Sequence, residues 1–190
     1  MNVHFRTNFS APTLIDETSD HFRVNRRVFV DPEILDREMK SIFERCWLYL
    51  GHESEIAKAG DFLVRNTAGH NLLFVRGQDG RARAFFNVCP HRGATVCRED
   101  SGNTKLFRCL YHSWAFDTSG KTIARPEPER YAPGALEEGQ FDLPPVPRIA
   151  DYRGFYFINF NPAAEPLLDY LAGAAKYIDR VVDKAEDGLE

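Results

Sequence analysis

The sequence predicts an α+β fold that is mainly β, with short strands filling the middle of the chain and a helix at each end. Three observations predict it. Asp61 to Arg65, Asn71 to Arg76 and Arg81 to Val88 are β-rich runs in close succession, the last two joined by the turn sequence Gly77-Gln-Asp-Gly80. Ahead of them, apolar residues recur at helical spacing from Leu35 to Trp47, and behind them a second helical stripe runs from Leu167 to Val181. With 190 residues, 43% of them hydrophobic, the chain is long enough to bury a sizeable core in one domain with helical appendages.

Taken in order, residues 1 to 24 are polar and irregular and read as an extended arm. Asp31-Pro32-Glu33 is a helix start, with Asp as N-cap and Pro at the first helical position. Leu35, Met39, Ile42, Phe43 and Cys46 then form a stripe that reads as core packing. After the three central strands, Lys105 to Arg108 and Trp114 to Phe116 flank a loop, and Asp117-Thr-Ser-Gly120 turns the chain into Lys121 to Ala124. Residues 125 to 147, rich in Pro, Glu and Gly and ending in Leu143-Pro-Pro-Val-Pro147, read as a surface loop with edge-strand segments at most. Tyr152 to Phe160 is an apolar, aromatic strand. Leu167, Leu168, Leu171, Ala174, Ala175, Ile178 and Val181 make the second stripe, before the acidic tail Asp183 to Glu190. The expected divisions are an arm and helix over 1–45, a central domain over 46–160 and a C-terminal helix over 161–190.

One spacing carries chemistry. Cys89-Pro90-His91 is followed, after seventeen residues, by Cys109-Leu110-Tyr111-His112, so each of two loops offers one sulfur and one nitrogen ligand. Two thiolates on one iron and two imidazoles on the other suit a [2Fe-2S] centre. Zinc is the alternative, but its sites usually pair like ligands at C-x₂₋₄-C and H-x₃₋₅-H spacing. Here each half is mixed, and the first pair is close enough to crowd a single tetrahedral ion. Gly93, after His91-Arg92, suits a tight loop that aims N–H groups at sulfur, and Tyr111 and Trp114 flank His112 with bulky rings.

Asn87-Val-Cys-Pro-His-Arg-Gly-Ala94 and Phe107-Arg-Cys-Leu-Tyr-His-Ser-Trp-Ala-Phe-Asp117 resemble the two cluster loops of Rieske non-haem iron oxygenases. More narrowly, they resemble the large (α) subunit of aromatic-ring-hydroxylating dioxygenases. The resemblance extends through Phe43-Glu-Arg-Cys-Trp-Leu-Tyr-Leu-Gly-His52 and Ala59-Gly-Asp-Phe62 and covers most of positions 25 to 160. It implies an antiparallel Rieske [2Fe-2S] β-domain whose cluster is ligated by Cys89, His91, Cys109 and His112. The family commonly has Gly after the second His, where this chain has Ser113. The family also carries a catalytic domain with a mononuclear Fe(II) held by two His and a carboxylate. The four remaining histidines, His4, His21, His52 and His70, offer no such pair. The resemblance therefore implies that the chain stops before that domain and that no catalytic residue lies within it.

The other two cysteines separate branches of the family. Respiratory-type Rieske proteins carry an extra, disulfide-bonded cysteine in each loop, and Tyr111 occupies the span between Cys109 and His112 where one would be needed. Cys97 reads as a small buried thiol and Cys46 as a core residue on the first helix.

Two function classes remain. One is the electron-accepting part of a dioxygenase α subunit, fed by a ferredoxin or reductase and passing electrons to mononuclear iron for O2-dependent dihydroxylation of an aromatic compound. The other is a free-standing Rieske-type ferredoxin. The arm, the Asp31 helix and the second helix exceed the roughly hundred residues that a small carrier domain needs, which favours the first. The resemblance implies that His112 meets an acidic bridge in a neighbouring α subunit's catalytic domain, with a β subunit as a further neighbour. Arg92 is read either as a partner contact or as one half of an ion pair, and Asp61, Arg125 and Glu127 as solvated surface. A net charge of −4 without a basic stripe argues against nucleic acid. The lack of an 18-residue apolar run or signal peptide argues for a cytoplasmic chain with no membrane partner. An iron–sulfur centre with free thiols suits the same compartment.

Overall fold

The computed structural model describes residues 14–131 and 139–185. His4, the first half of the arm, the centre of the Pro-rich stretch and the end of the acidic tail lie outside the described residues. The chain divides into two compact units, Met1–Ile42 and Phe43–Glu190.

In the first unit the described part of the arm is a small hairpin. Strands β1 (Ile15–Glu17) and β2 (Phe22–Val24) pair antiparallel, Ile15 opposite Val24. Thr18 closes the turn, its N–H donating to the His21 carbonyl and its hydroxyl accepting from the N–H groups of Asp20 and His21. Helices α1 (Arg27–Val30) and α2 (Pro32–Glu38) follow. Asp31 caps α2 as expected, its carboxylate accepting from Glu33 N–H with Pro32 in the first turn. The helix does not reach Trp47. It ends at Glu38, and the chain winds through a wider π turn over Met39–Phe43. Its expected core stripe is also corrected, because Leu35, Ile42 and Phe43 are exposed.

Among the described residues the second unit holds three antiparallel sheets, a mainly β arrangement with short helices. The largest has strand order β6-β5-β4-β7, with β4 at Asp61–Thr67, β5 at His70–Arg76, β6 at Ala82–Phe86 and β7 at Ser101–Asn103. A second sheet joins β8 (Leu106–Arg108), β9 (Ala115–Asp117) and β10 (Thr122–Ala124). The third has order β11-β12-β3, from β3 (Leu48–His52), β11 (Arg148–Tyr152) and β12 (Phe155–Asn159). The segment expected as one strand from Tyr152 to Phe160 is thus part of a hairpin. Arg153 (φ 54°) and Gly154 (φ 86°) are both left-handed, the backbone that a tight two-residue hairpin turn requires.

Strand β5 explains the layering. Successive side chains point to opposite faces, so Leu73 and Val75 enter one buried cluster while Leu72 and Phe74 enter another. A strand covered on both sides reads as a continuous apolar run, which is how Leu72-Leu-Phe-Val75 reads. The first cluster gathers Phe62, Phe85, Cys89, Cys97, Phe107, Cys109, Trp114, Phe116 and Leu143. The second gathers Leu50, Ile56, Ala84, Val146 and Ile158, and includes residues of β3 and β12. The Pro-rich stretch does supply an edge segment. Phe86 N–H donates to Pro144 O and Val146 N–H to Ala84 O, seating Leu143 and Val146 in the two cores.

The second helical stripe is broken. Helix α3 (Leu167–Leu171) meets a left-handed Ala172 (φ 43°), a 3₁₀ turn follows, and α4 (Ala175–Val182) resumes. Leu167 is buried, but Leu168 and Val181 are exposed. Among the described residues no helix is long and apolar enough to cross a membrane.

Candidate metal centre

Two loops, one after β6 and one between β8 and β9, are built alike. In the first, Gly93 N–H donates to Cys89 O at 2.8 Å and Cys89 N–H donates to Ala94 O at 2.7 Å. In the second, Ser113 N–H donates to Cys109 O at 2.9 Å and Cys109 N–H donates to Trp114 O at 2.8 Å. Each loop is closed four residues after its cysteine by a left-handed residue, Gly93 at φ 73° and Ser113 at φ 57°. Ser113 therefore keeps the tight turn that the family's glycine would make, at the steric cost of a side chain in that region.

All four residues singled out by the spacing come together, and they do so in like pairs. Cys89 and Cys109 are both buried in the same apolar cluster, near enough that Cys109 raises the pKa of Cys89. His91 and His112 are half-buried, and their rings meet edge to face at 4.7 Å. Among the described residues no group of three or more His, Cys, Asp or Glu is arranged to hold one ion. All four cysteines are free, so no disulfide of the respiratory kind forms.

The electrostatics of the two pairs differ. Burial pushes the Cys89 thiol up, against the opposing pull of His91 and Arg92 N–H groups donating to its sulfur, and the neighbouring Cys109 raises it further. Burial lowers the pKa of His91, with His112 and Arg92 adding to the effect, so the imidazole is held neutral and free to bind metal. His91 Nδ1 is buried without a hydrogen-bond partner. Such an atom forfeits about 1–3 kcal/mol of hydration, and a coordinated ion would restore the interaction.

The surroundings differ in part from expectation. Trp114 stacks on His91 rather than flanking His112, with ring centroids 5.0 Å apart and planes 5° from parallel. Phe141 and Tyr131 stand edge-on to its indole. Tyr111 lies against His112 at 3.8 Å but stays 62% exposed, so it shields that ring only partly. Cys97 is buried, as expected. Cys46 lies beyond the helix, half-buried, and its thiol raises the pKa of the Tyr170 hydroxyl. Arg92 is exposed and makes no ion pair among the described residues. Asp61 accepts from Asn103 and from Lys58 N–H, joining the start of β4 to β7, and these bonds lower its pKa. Arg125 is not simple surface either, because its guanidinium lies over the Trp114 indole.

Asn87, not singled out by the spacing, holds both ends of the first loop. Its side-chain amide donates to Cys97 O and Asn71 Oδ1, and its own carbonyl oxygen accepts from Cys97 N–H. A lone polar residue between the apolar end of β6 and the ligand loop is the signal that could have found it.

Comparison with known proteins agrees with this geometry. Residues 46–147 match the Rieske [2Fe-2S] domain. Toluate 1,2-dioxygenase subunit alpha of Pseudomonas putida is 40% identical over 177 residues, covering 92% of this chain and 39% of that protein. Biphenyl 2,3-dioxygenase subunit alpha of Rhodococcus jostii (strain RHA1) is 39% identical over 178 residues, covering 93% of this chain and 38% of that one. The crystal structure of naphthalene 1,2-dioxygenase from Rhodococcus sp. bound to indole aligns with a TM-score of 0.82 at 36% identity, over 87% of this chain and 38% of that one. The chain spans about two fifths of the length of the curated relatives it matches.

Proposed function

Since this chain belongs to the Rieske [2Fe-2S] domain family, matched over residues 46–147, we propose that it is the electron relay of an aromatic-ring-hydroxylating dioxygenase α subunit. Cys89 and Cys109 would hold one iron, and His91 and His112 the other. The observation that carries this reading is the sorting of the four side chains into a buried thiol pair and a half-buried imidazole pair on two loops of identical hydrogen bonding. When bound, the cluster would accept and release one electron at a potential of about −150 to +300 mV, above the roughly −400 mV of all-cysteine plant-type ferredoxins.

The chain's own residues set the conditions for that exchange. The N–H groups of His91 and Arg92 stabilise negative charge on the Cys89 sulfur. Phe107, Trp114 and Phe116 surround the thiols with apolar atoms and keep water from them. Leu110 and Tyr111, 66% and 62% exposed, leave the imidazole end open to a partner. On this reading a ferredoxin or reductase supplies the electron, with exposed Arg92 among its contacts, and His112 passes it to the mononuclear iron of a neighbouring α subunit. A β subunit would be a further neighbour. The arm and helix over 1–45 and the helix over 161–190 would flank the 46–160 relay domain, the latter leading to a catalytic domain. Both curated relatives described above are dioxygenase alpha subunits, which favours this over a free-standing carrier.

Anaerobic reconstitution with ferrous iron and sulfide tests the assignment. The expected product is reddish-brown, with two irons and two sulfides per chain, and Cys89→Ser or His112→Ala abolishes its visible band. A colourless chain that takes up one zinc and no sulfide would defeat the reading.

A further inference from the structure

We propose that Arg125 is a tuning charge for the centre, raising its reduction potential through the Trp114 indole. This rests on the relay reading above and extends it to a residue outside the ligand loops. The guanidinium carbon lies 5.5 Å from the Trp114 ring centroid, and the other leg, from that indole to the stacked His91 ring, is 5.0 Å. Arg125 is half-buried, and its Nε is buried without a hydrogen-bond partner. No carboxylate pairs with it among the described residues. Among those residues, then, no acid offsets the positive charge, which lies over an indole that is itself packed edge-on against Phe141 and Tyr131.

Three physical consequences follow from that placement. A cation over an indole is attracted by the ring's negative face, more strongly once water is removed, so the side chain is held in position. A partly buried charge is screened by salt far less than an exposed one. An arginine keeps its proton throughout the working range of pH. Reduction adds one electron from the donor to the centre. Arg125 gives up neither proton nor electron, and its fixed positive charge favours the reduced state.

Voltammetry of the reconstituted 190-residue chain compares wild type with R125Q and R125K. In R125Q the reduced-to-oxidised ratio at a fixed potential should fall about tenfold, which for a one-electron couple is a shift of ~59 mV. R125K, which keeps the charge, should stay near wild type. Because arginine does not titrate, the R125Q curve of potential against pH should be displaced as a whole without changing shape. A loaded R125Q whose potential superimposes on wild type overturns the tuning role while leaving the relay reading intact. A wild type that takes up no cluster overturns both. If R125Q does not load, Arg125→Met keeps an apolar stem over the indole without the charge and is read by the same criterion. Should both neutral variants fail to load while R125K loads, Arg125 builds the loop and does not tune it, which also overturns the proposal.

Discussion

Because the two ligand loops share one hydrogen-bond frame, exchanging their closing residues has a calculable effect of opposite sign at each. Gly93 has φ 73°, and a Cβ there would meet nothing within 4 Å, so Gly93→Ala tests backbone conformation alone. A left-handed residue with a Cβ costs about 1–2 kcal/mol, and the smaller entropy of the unfolded alanine chain returns about 0.4–1 kcal/mol. The net is a destabilisation of about 1 kcal/mol. Ser113 at φ 57° already carries that strain, so Ser113→Gly should stabilise by about the same amount on the same arithmetic. Gly120 is the contrasting control. Its φ is 87°, and a Cβ would come within 2.7 Å of Phe85 Cζ, so Gly120→Ala adds overpacking of about 1–3 kcal/mol to the strain.

Urea denaturation of the metal-free chain, followed by tryptophan fluorescence, measures all three, since one of its two tryptophans is the buried Trp114. The midpoint should fall for G93A, rise for S113G and fall furthest for G120A, with unchanged slopes. The double exchange G93S/S113G should lie close to wild type, apart from any coupling across the touching imidazoles. If G93A and S113G move the midpoint in the same direction, the loops are not conformational equivalents and the reasoning fails.

Asn87→Ala should destabilise the chain by about 2–4 kcal/mol, because it leaves the buried N–H and C=O of Cys97 unpaired; a denaturation midpoint unchanged from wild type would contradict the pinning role. Burial holds the Cys89 thiol above its ordinary value of 9.0, and a ligand must be a thiolate, so loading at fixed iron and sulfide should improve as pH rises from 6.5 towards 9. A pH-independent yield would show that Cys89 loses no proton on loading. With His91 and His112 as ligands, the midpoint potential should be level near neutrality and fall in alkali as the outer imidazole nitrogens lose protons from the oxidised form. A flat profile by voltammetry would take both histidines off the ligand set.

The ligand loops were legible because their information is local: four residues at fixed spacing, with a glycine where a left-handed turn is needed. Much of the fold was legible for the same reason, as with Asp31 at a helix start or the continuous apolar run of β5. What stayed hidden depends on contacts distant in sequence or on weak punctuation. Strand β3 continues the apolar pattern of the preceding helix across Trp47, so no change of period marks where one ends and the other begins. Arg153-Gly154 is a weaker hairpin signal than Asn-Gly, and the β11–β12 pair therefore read as one long strand. Helical spacing identifies an apolar face but not what covers it, and Leu35, Ile42 and Leu168 all lie exposed. Arg125 was invisible because its partner is an indole across the β9–β10 hairpin, and no local motif connects the two.

The one difference between the loops accounts for the asymmetry of the centre. Each cysteine begins a frame closed by a left-handed residue four positions on, but His91 comes two positions after its cysteine and His112 three. The imidazoles therefore cannot be related by the symmetry that relates the loops, and their planes cross at 70°. The nearer histidine lies flat against Trp114, with a buried Nδ1, and the Arg125 charge lies over that same indole. The farther one lies against exposed Tyr111, on the loop that also exposes Leu110. One inserted residue thus gives two chemically identical ligands different environments. On the relay reading, the His91 side is where the protein sets the potential, and the His112 side is where a partner takes the electron.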